Sequence, residues 1–299
     1  MVASAESSGS SSARIAVVGH AEWAEFVEVE HVPAAGQSVE AREAARLAAG
    51  GGAVAAVQIA KLNGSCSFLT ALGDDETGDR IGPFLEQQGV DVFATRRPSK
   101  QRRAFVFVDS AGERTITTIG ERLAVSTADD LPWGDFGEVA SVYFTAGGPD
   151  ALRAARKART VVATVRAGTA LAEAGVGVDV LVASADDRGE RYERGDFEPL
   201  PKWAVRTEGA RGGTLESADG TVSKWSSLPV PGPRGDNYGA GDSFAGGLTC
   251  GLGMGYDIAD AISLGAFCGA SAVHGSGPYG SQATAADLPR WRELYGIGG

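Results

Sequence analysis

The stretch DNYGAGDSFAGG, residues 236–247, decides how the chain is interpreted. A glycine-rich turn runs directly into a helix, so the amides of Gly239, Ala240 and Gly241 can point at one place. The positive end of the helix lies behind them, and such an arrangement binds anions. Asp242 follows in the first helical turn, where its carboxylate would repel a bound phosphate unless it takes part in the chemistry. A carboxylate beside a phosphate cradle is well placed to accept a proton from an attacking hydroxyl.

A simpler interpretation is that Asp242 only caps the helix, because Asp is favoured near helix N-termini. The residues that follow it weigh against this interpretation. Gly246 and Gly247 come directly after Phe244 and Ala245. Glycine weakens helix interiors, so this pair would be wasteful in a helix that needed only a cap.

Composition places limits on the function. The 299 residues include 27 Lys and Arg against 38 Asp and Glu, for a net charge of −11. This balance argues against a nucleic-acid-binding protein, whose surface should be basic. The three cysteines form no CxxC pair, which indicates neither a disulfide framework nor a zinc site and favours a reducing, cytoplasmic location.

The N-terminal segment MVASAESSGSSSA, residues 1–13, is rich in serine and has no apolar centre. It predicts a disordered tail rather than a signal peptide. No apolar run is long enough to span a membrane. We therefore expect a protein without a membrane partner, with one domain over residues 14–299.

Strand-like and helix-like segments alternate along the chain, beginning with the apolar run RIAVVG. Strands are predicted at residues 14–19, 67–72, 139–144, 160–165, 178–183 and 203–207, and helices at 50–62, 77–88, 149–158, 243–253 and 257–274. Such alternation predicts an α/β fold with a mostly parallel sheet covered by helices on both faces.

Three further segments alternate apolar and polar residues, which is typical of strands with one wet face. They are residues 24–32 and the pair 103–109 and 113–119, joined by a short connection that contains Gly112. We expect them to form a small β-sheet lid, inserted at about 24–49 and 101–120. Exposed strand edges favour pairing, so a homodimer through this lid is expected.

With these features in place, DNYGAGDSFAGG resembles the signature D-T-x-G-A-G-D-x-F of the ribokinase-like carbohydrate kinases, the phosphofructokinase B (pfkB) family. The order of features matches from Arg14 to about Trp291. The resemblance implies a three-layer ribokinase-like fold with a lid, and ATP and Mg²⁺ as cofactors. It also implies that Asp242 is the catalytic base and that the amides of residues 239–242 form an anion hole.

Other motifs extend the resemblance. Gly50-Gly51 matches the glycine pair beside the acceptor substrate, and GDDETGDRI at residues 73–81 matches a further family segment. The resemblance implies a nucleotide site at Thr207, Gly209, Arg211, Gly212 and Gly277. It also implies a monovalent-cation (potassium) site at Asp236, Tyr238, Ala272, Gly275, Gly277 and Ser281.

Three departures from the family pattern bear on the substrate. Relatives carry G-x-x-N-x-D after the first strand, whereas this chain places Glu22 and Ala24 at the two polar positions. Ala55 stands where relatives tend to carry Asn. The N-x-x-E motif that organises Mg²⁺ through water aligns with Ser184 and Asp187, which keep hard oxygen donors.

These features predict an ATP-dependent kinase that phosphorylates a hydroxyl, a primary alcohol, of a sugar or sugar-like molecule. Substrate contacts are expected at Glu22, Gly50, Gly51 and Asp242. The alternative is a catalytically weakened relative that binds a nucleotide or small ligand and acts in regulation. A dinucleotide-binding oxidoreductase is set aside, because GHAEWAE follows the first strand in place of G-x-G-x-x-G.

Overall fold

The computed structural model describes residues 12–233 and 235–298. Most of the predicted tail, residues 1–11, lies outside the described residues. None of the described helices combines the length and the apolar character that crossing a membrane requires. All three cysteines are buried and free, as their spacing predicted.

Two sheets organise the described residues, and their elements are numbered here in chain order. The strands are β1 (Ile15–Val18), β2 (Glu22–Glu28), β3 (Glu43–Ala49), β4 (Cys66–Gly73), β5 (Val90–Arg97), β6 (Arg103–Val108), β7 (Arg114–Ile119), β8 (Ser141–Phe144), β9 (Thr160–Thr164), β10 (Val180–Ser184), β11 (Trp203–Thr207), β12 (Gly213–Ser217) and β13 (Val222–Trp225). The helices are α1 (Gly51–Asn63), α2 (Glu76–Gln87), α3 (Pro149–Ala155), α4 (Gly168–Glu173), α5 (Ala240–Gly253), α6 (Ile258–Ala272) and α7 (Leu288–Tyr295).

The larger sheet has nine strands in the order β13-β12-β11-β10-β9-β8-β1-β4-β5. The seven neighbouring strands from β11 across to β5 in that order pair in parallel: β11, β10, β9, β8, β1, β4 and β5. Strands β12 and β13 extend the sheet in antiparallel fashion. The carboxyl ends of the parallel strands therefore meet at one edge, where ligands bind in open α/β sheets.

Helices cover both faces of this sheet, as the alternation of elements predicted. Successive side chains of a strand point to opposite faces. In β1, Ile15 and Val17 belong to the apolar core shared with α1, α5 and α6. Ala16 and Val18 belong to a second core, shared with α3 and α4. Both cores are needed to bury β1, which pairs in parallel with β4 on one side and β8 on the other.

The lid is a separate sheet of four strands in the order β3-β2-β6-β7. Strands β6 and β7 form the predicted hairpin, with Arg103 opposite Ile119. One face of the lid is an apolar layer in which Phe26 and Val106 pack with Tyr238 of the GAGD stretch. The ring centroids of Phe26 and Tyr238 are 4.8 Å apart. The lid is therefore anchored directly on the loop that precedes α5.

Several predicted boundaries were wrong, and each has a local reason. Strand β2 begins at Glu22, two residues before the predicted start. Glu22 and Ala24, at the two polar positions of the G-x-x-N-x-D alignment, therefore belong to the lid itself. Helix α5 begins at Ala240 rather than at residue 243. Gly239, at φ 78°, forms its N-cap, a left-handed conformation that glycine adopts at little cost. Strands β3, β5, β12 and β13 were not predicted, because most of their residues are exposed or half-buried and they lack the continuous apolar run of a buried strand.

Candidate active site

The N-terminus of α5 leaves backbone donors free, as the GAGD stretch predicted. The amide of Ser243 donates to the Gly239 carbonyl over 2.8 Å and is the first bond within the helix. The amide of Ala240 makes only a long bond of 3.4 Å to the Asn237 carbonyl. Because the first amides of a helix have no partner inside it, those of Gly241 and Asp242 remain available to an anion.

The first turns of α1 and α5 meet at this point. A Cβ atom built on Gly51 would lie 2.8 Å from Asp242 Oδ1 and 3.5 Å from the Thr145 hydroxyl oxygen. The Asp242 carboxylate therefore lies directly against the backbone of Gly51. Gly50, the residue before, is the N-cap of α1 and adopts φ 95°. The tertiary structure thus brings the predicted base and the predicted acceptor-side glycines together.

The surroundings of Asp242 favour its protonated form. Burial, followed by the negative charge of Glu190, raises the pKa of Asp242 to about 6. Arg114 and Arg166 act in the opposite direction, and Glu22 adds a smaller upward contribution. A pKa close to neutrality suits a general base, which must be free to accept a proton and able to hold it.

Glu22 is buried at the base of the lid, and both of its carboxylate oxygens are engaged. The Tyr238 hydroxyl donates to Oε1 over 3.4 Å, and Arg102 Nε donates to Oε2 over 3.1 Å. Burial, followed by the charge of Glu22, raises the pKa of Tyr238 well above its ordinary value, so this hydroxyl stays protonated. Glu22 therefore ties the lid to the GAGD loop.

Ala24 and Ala55, the other two acceptor-side departures from the family pattern, are buried in packing. Ala24 is fully buried in the apolar layer of the lid. Ala55 is fully buried in α1, where its carbonyl oxygen would lie 2.9 Å from a Cβ on Gly246 of α5. Alanine at residue 55 thus belongs to close helix packing, which also accounts for the glycines of α5.

Four of the predicted nucleotide residues, Thr207, Gly209, Arg211 and Gly212, lie at and just after the carboxyl end of β11, whereas Gly277 lies in the loop after α6. Thr207 is the register partner of Ser184, and its hydroxyl donates to the Ala183 carbonyl over 3.3 Å. Gly212, at φ 91°, closes a tight turn in which its carbonyl accepts from the Glu208 amide over 2.7 Å. Arg211, in the same turn, is exposed and pairs with Asp186 at 3.3 Å.

The residues of the expected cation site come from two loops that Asp236 joins. Its carboxylate accepts from the amide of Tyr238 over 2.8 Å and from that of Gly277 over 2.6 Å. Its own amide donates to the Gly275 carbonyl over 3.1 Å. The Ser281 hydroxyl lies 2.7 Å from the position of a Cβ on Gly275. Ala272 ends the adjoining helix α6, so the predicted set forms one neighbourhood.

Asp187, the acid expected to organise Mg²⁺, is the N-cap of a short 3-10 turn after β10. Asp187 accepts from the Gly189 amide over 2.8 Å and from Arg166 over 2.6 Å. The Ser184 hydroxyl accepts from the Asp187 amide over 3.3 Å. Glu190 pairs with the same Arg166. Within the described ranges, no three His, Cys, Asp or Glu side chains form a ready-made metal cluster. Asp187 and Glu190 share Arg166, and Glu190 acts electrostatically on Asp242, so these two carboxylates offer hard oxygen donors for a cation held through water.

Sequence reasoning missed several residues of this site. Glu190 follows Asp187 by three residues and continues the spacing of the N-x-x-E alignment, a signal that could have identified it. Arg166 comes directly after β9, at the edge where the carboxyl ends of the strands meet. No local pattern could link Arg122 or His20 to the GAGD stretch, because both lie more than a hundred residues from it in the sequence.

A family model described as pfkB family carbohydrate kinase matches residues 12–188 and 196–285. This chain belongs to the pfkB family of carbohydrate kinases. The resemblance first indicated by the GAGD stretch is thereby confirmed over nearly the whole chain.

Solved structures of pfkB-type kinases share the architecture. Thermotoga maritima ribokinase is 21% identical, with a TM-score of 0.74 over 94% of this chain and 99% of that one. Arabidopsis thaliana ribokinase, complexed with ribose and ATP, is 20% identical, with a TM-score of 0.73 over 94% and 98%. A Methanocaldococcus jannaschii nucleoside kinase is 17% identical, with a TM-score of 0.68 over 95% and 99%. These similarities confirm the ribokinase-like fold and its lid.

Proposed function

We propose that this pfkB-family chain is an ATP-dependent kinase that phosphorylates a primary alcohol of a sugar-like molecule, with Asp242 as the general base. One observation carries the proposal. The Asp242 carboxylate lies against Gly51, at the free amides of the α5 N-terminus. A carboxylate that can accept a proton, backbone amides that can bind a phosphate and a glycine surface open to the substrate therefore meet at one point.

In the proposed reaction, the Asp242 carboxylate accepts the proton of the acceptor hydroxyl as that oxygen attacks the γ-phosphorus, and the bond from this phosphorus to the bridging β–γ oxygen breaks to release ADP. The amides of Gly241 and Asp242, together with those of Gly239 and Ala240 in the turn before them, stabilise the charge that develops on the transferring group. Gly50 and Gly51 allow the acceptor to approach the base, because they present no side chain there.

The cofactors are assigned to the residues that suit them. Thr207, Gly209, Arg211, Gly212 and Gly277 would hold ATP, with Arg211 as the positive charge that reaches its phosphates. Mg²⁺ would be held through water near Asp187 and Glu190, where it would neutralise phosphate charge. Main-chain carbonyls near Asp236 would hold a potassium ion.

Acceptor-dependent release of ADP tests the proposal. Purified protein is incubated with ATP and Mg²⁺ and a panel of sugars, polyols, nucleosides, sugar acids and sugar phosphates, and ADP is measured by a coupled assay. We expect ADP release above the acceptor-free rate with at least one class. Measurable ATP binding with silence across the whole panel would contradict the kinase and favour the regulatory alternative.

The rate should fall in acid because of Asp242. Burial, with the charges of Glu190 and Glu22 and against those of Arg114 and Arg166, raises the pKa of this residue to about 6. A general base works only when deprotonated, so kcat/KM should drop about tenfold per pH unit below pH 6. Initial rates from pH 4.5 to 8.5 measure this, with circular dichroism as a control for folding. A profile that stays flat down to pH 5 would exclude Asp242 as the base.

A further inference from the structure

Three arginines from separate parts of the chain converge beside the acceptor side of the site. Arg102 precedes β6, Arg122 follows β7 and Arg166 follows β9. Arg102 donates from Nη1 to the Gly120 carbonyl over 2.8 Å, which joins the segments carrying Arg102 and Arg122. The pKa of Arg122 is lowered by burial and by the positive charges of Arg102 and Arg166, which lie within electrostatic range.

The three arginines differ in their partners. Arg102 is paired with Glu22 at 3.1 Å, and Arg166 with Asp187 and Glu190. Arg122 is half-buried, and its Nε is buried without a hydrogen-bond partner in the described part of the chain. A buried N–H donor without a partner is costly, and the positive charges of Arg102 and Arg166 add repulsion that the carboxylates of Glu22 and Asp242 offset only in part.

His20 shows where the three arginines lie relative to the acceptor-side glycines. Its Cδ2 lies 3.2 Å from the position of a Cβ on Gly50, so it borders the glycine pair. The ring is buried, and Nδ1 has no hydrogen-bond partner among the described residues. Burial and the charges of Arg122, Arg102 and Arg166 lower its pKa well below the ordinary value, so the imidazole stays neutral. The unpartnered Nδ1 of His20 thus belongs to a ring that borders Gly50 and lies within electrostatic range of all three arginines.

From this arrangement we infer that the acceptor carries an anionic group, a phosphate or a carboxylate, and that Arg122 binds it beside Arg102. The inference rests on the proposed function, because it names the substrate class of the same site. A guanidinium binds such oxyanions with two parallel donors. An anion would supply the partner that Arg122 lacks and relieve its repulsion by Arg102 and Arg166. A neutral sugar would bring no negative charge to offset the repulsion by Arg102 and Arg166.

Matched acceptors test the inference directly. Glucose, gluconate and glucose 1-phosphate, together with ribose, ribonate and ribose 1-phosphate, all keep a free primary alcohol and are compared by kcat/KM and by calorimetric titration. A non-hydrolysable ATP analogue is present in the titrations, so that the nucleotide phosphate site is filled. We expect an anionic member to exceed its neutral counterpart by about tenfold or more. Comparing the sugar acids with the sugar phosphates shows which anion is preferred. A preference for the neutral members overturns the inference.

Arg122→Gln should abolish this preference, and Arg122→Lys should keep part of it. Arg103→Gln, one residue along from Arg102 on an exposed position of β6, is the matched control and should retain it in full. Without ligand, Arg122→Gln should unfold at the same or a higher temperature, because it removes a buried unpartnered charge. Anion binding that is unchanged in Arg122→Gln would overturn the inference. Arg122-dependent anion binding without any ADP release would contradict only the proposed kinase activity.

Discussion

Replacing Asp242 by Asn is expected to lower kcat by about 10²–10⁴-fold, the range that a positioned general base contributes. The amide is nearly the same size as the carboxylate, so it preserves the contact with Gly51 but cannot accept the proton of the acceptor hydroxyl. Steady-state rates at pH 8 measure the loss. ATP affinity, measured by titration, should stay close to that of the wild type.

A stability measurement separates this loss from unfolding. The folded protein raises the pKa of Asp242 from 3.8 to about 6, so it binds a proton more readily than the unfolded chain does. The carboxylate therefore destabilises the fold as the pH rises through this interval. Above pH 6, Asp242→Asn should be more stable than the wild type, by on the order of 2 kcal/mol.

Urea unfolding at pH 8 and at pH 4.5 measures this difference, which should shrink at the lower pH. Turnover within tenfold of the wild type in a folded Asp242→Asn variant would contradict the assignment of the base. A variant that is inactive and less stable at pH 8 would contradict the electrostatic description of the site.

Gly51→Ala is expected to have the second largest effect, a loss of about 10²-fold in kcat/KM for the acceptor. The new Cβ would lie 2.8 Å from Asp242 Oδ1, closer than ordinary packing allows, so the carboxylate must shift. Displacing a catalytic group by about 1 Å can cost this much. Because the added methyl group is on the acceptor side, ATP affinity should change little.

Gly82→Ala in α2 is the matched control, since a Cβ there would meet no atom within 4 Å. It should leave kcat/KM unchanged, and the midpoint of thermal unfolding should not rise, because Pro83 follows it in α2 and disfavours the helical conformation for a residue with a Cβ. A Gly51→Ala variant with full activity would show that the acceptor does not bind against this backbone. A Gly82→Ala variant with the same loss would show that the effect is not specific to the site.

The sequence alone predicted much of the fold, because its signals are local. The apolar run RIAVVG and the starts of the helices predicted near residues 149 and 257 depend on residues only a few positions apart. In the structure, Asp257 caps the second of these helices, α6, and accepts from the Asp260 amide over 2.9 Å. Strand β12 was missed because GTLES, residues 213–217, contains only one large apolar residue, although its partners β11 and β13 are its neighbours in the sequence.

The candidate site was predicted only in part, for the same physical reason. Glycines and amides near Asp242 can be recognised from a short motif, because backbone geometry is set by adjacent residues. Glu22 could be noticed only as a departure from a family pattern. Its role as the link between Tyr238 and Arg102 depends on the lid folding back over α5, which no local pattern encodes.

The sequence by itself thus determined the class of protein: a pfkB-type α/β kinase fold with a helix N-terminus suited to phosphate. Only the tertiary structure decided what surrounds that phosphate site. It placed Glu190 beside Asp242, buried Ala24 and Ala55 in packing, and gathered Arg102, Arg122 and Arg166 around the acceptor side. Electrostatic interactions act through space over several ångströms, so charges from distant segments set the chemistry of the site only once the chain has folded.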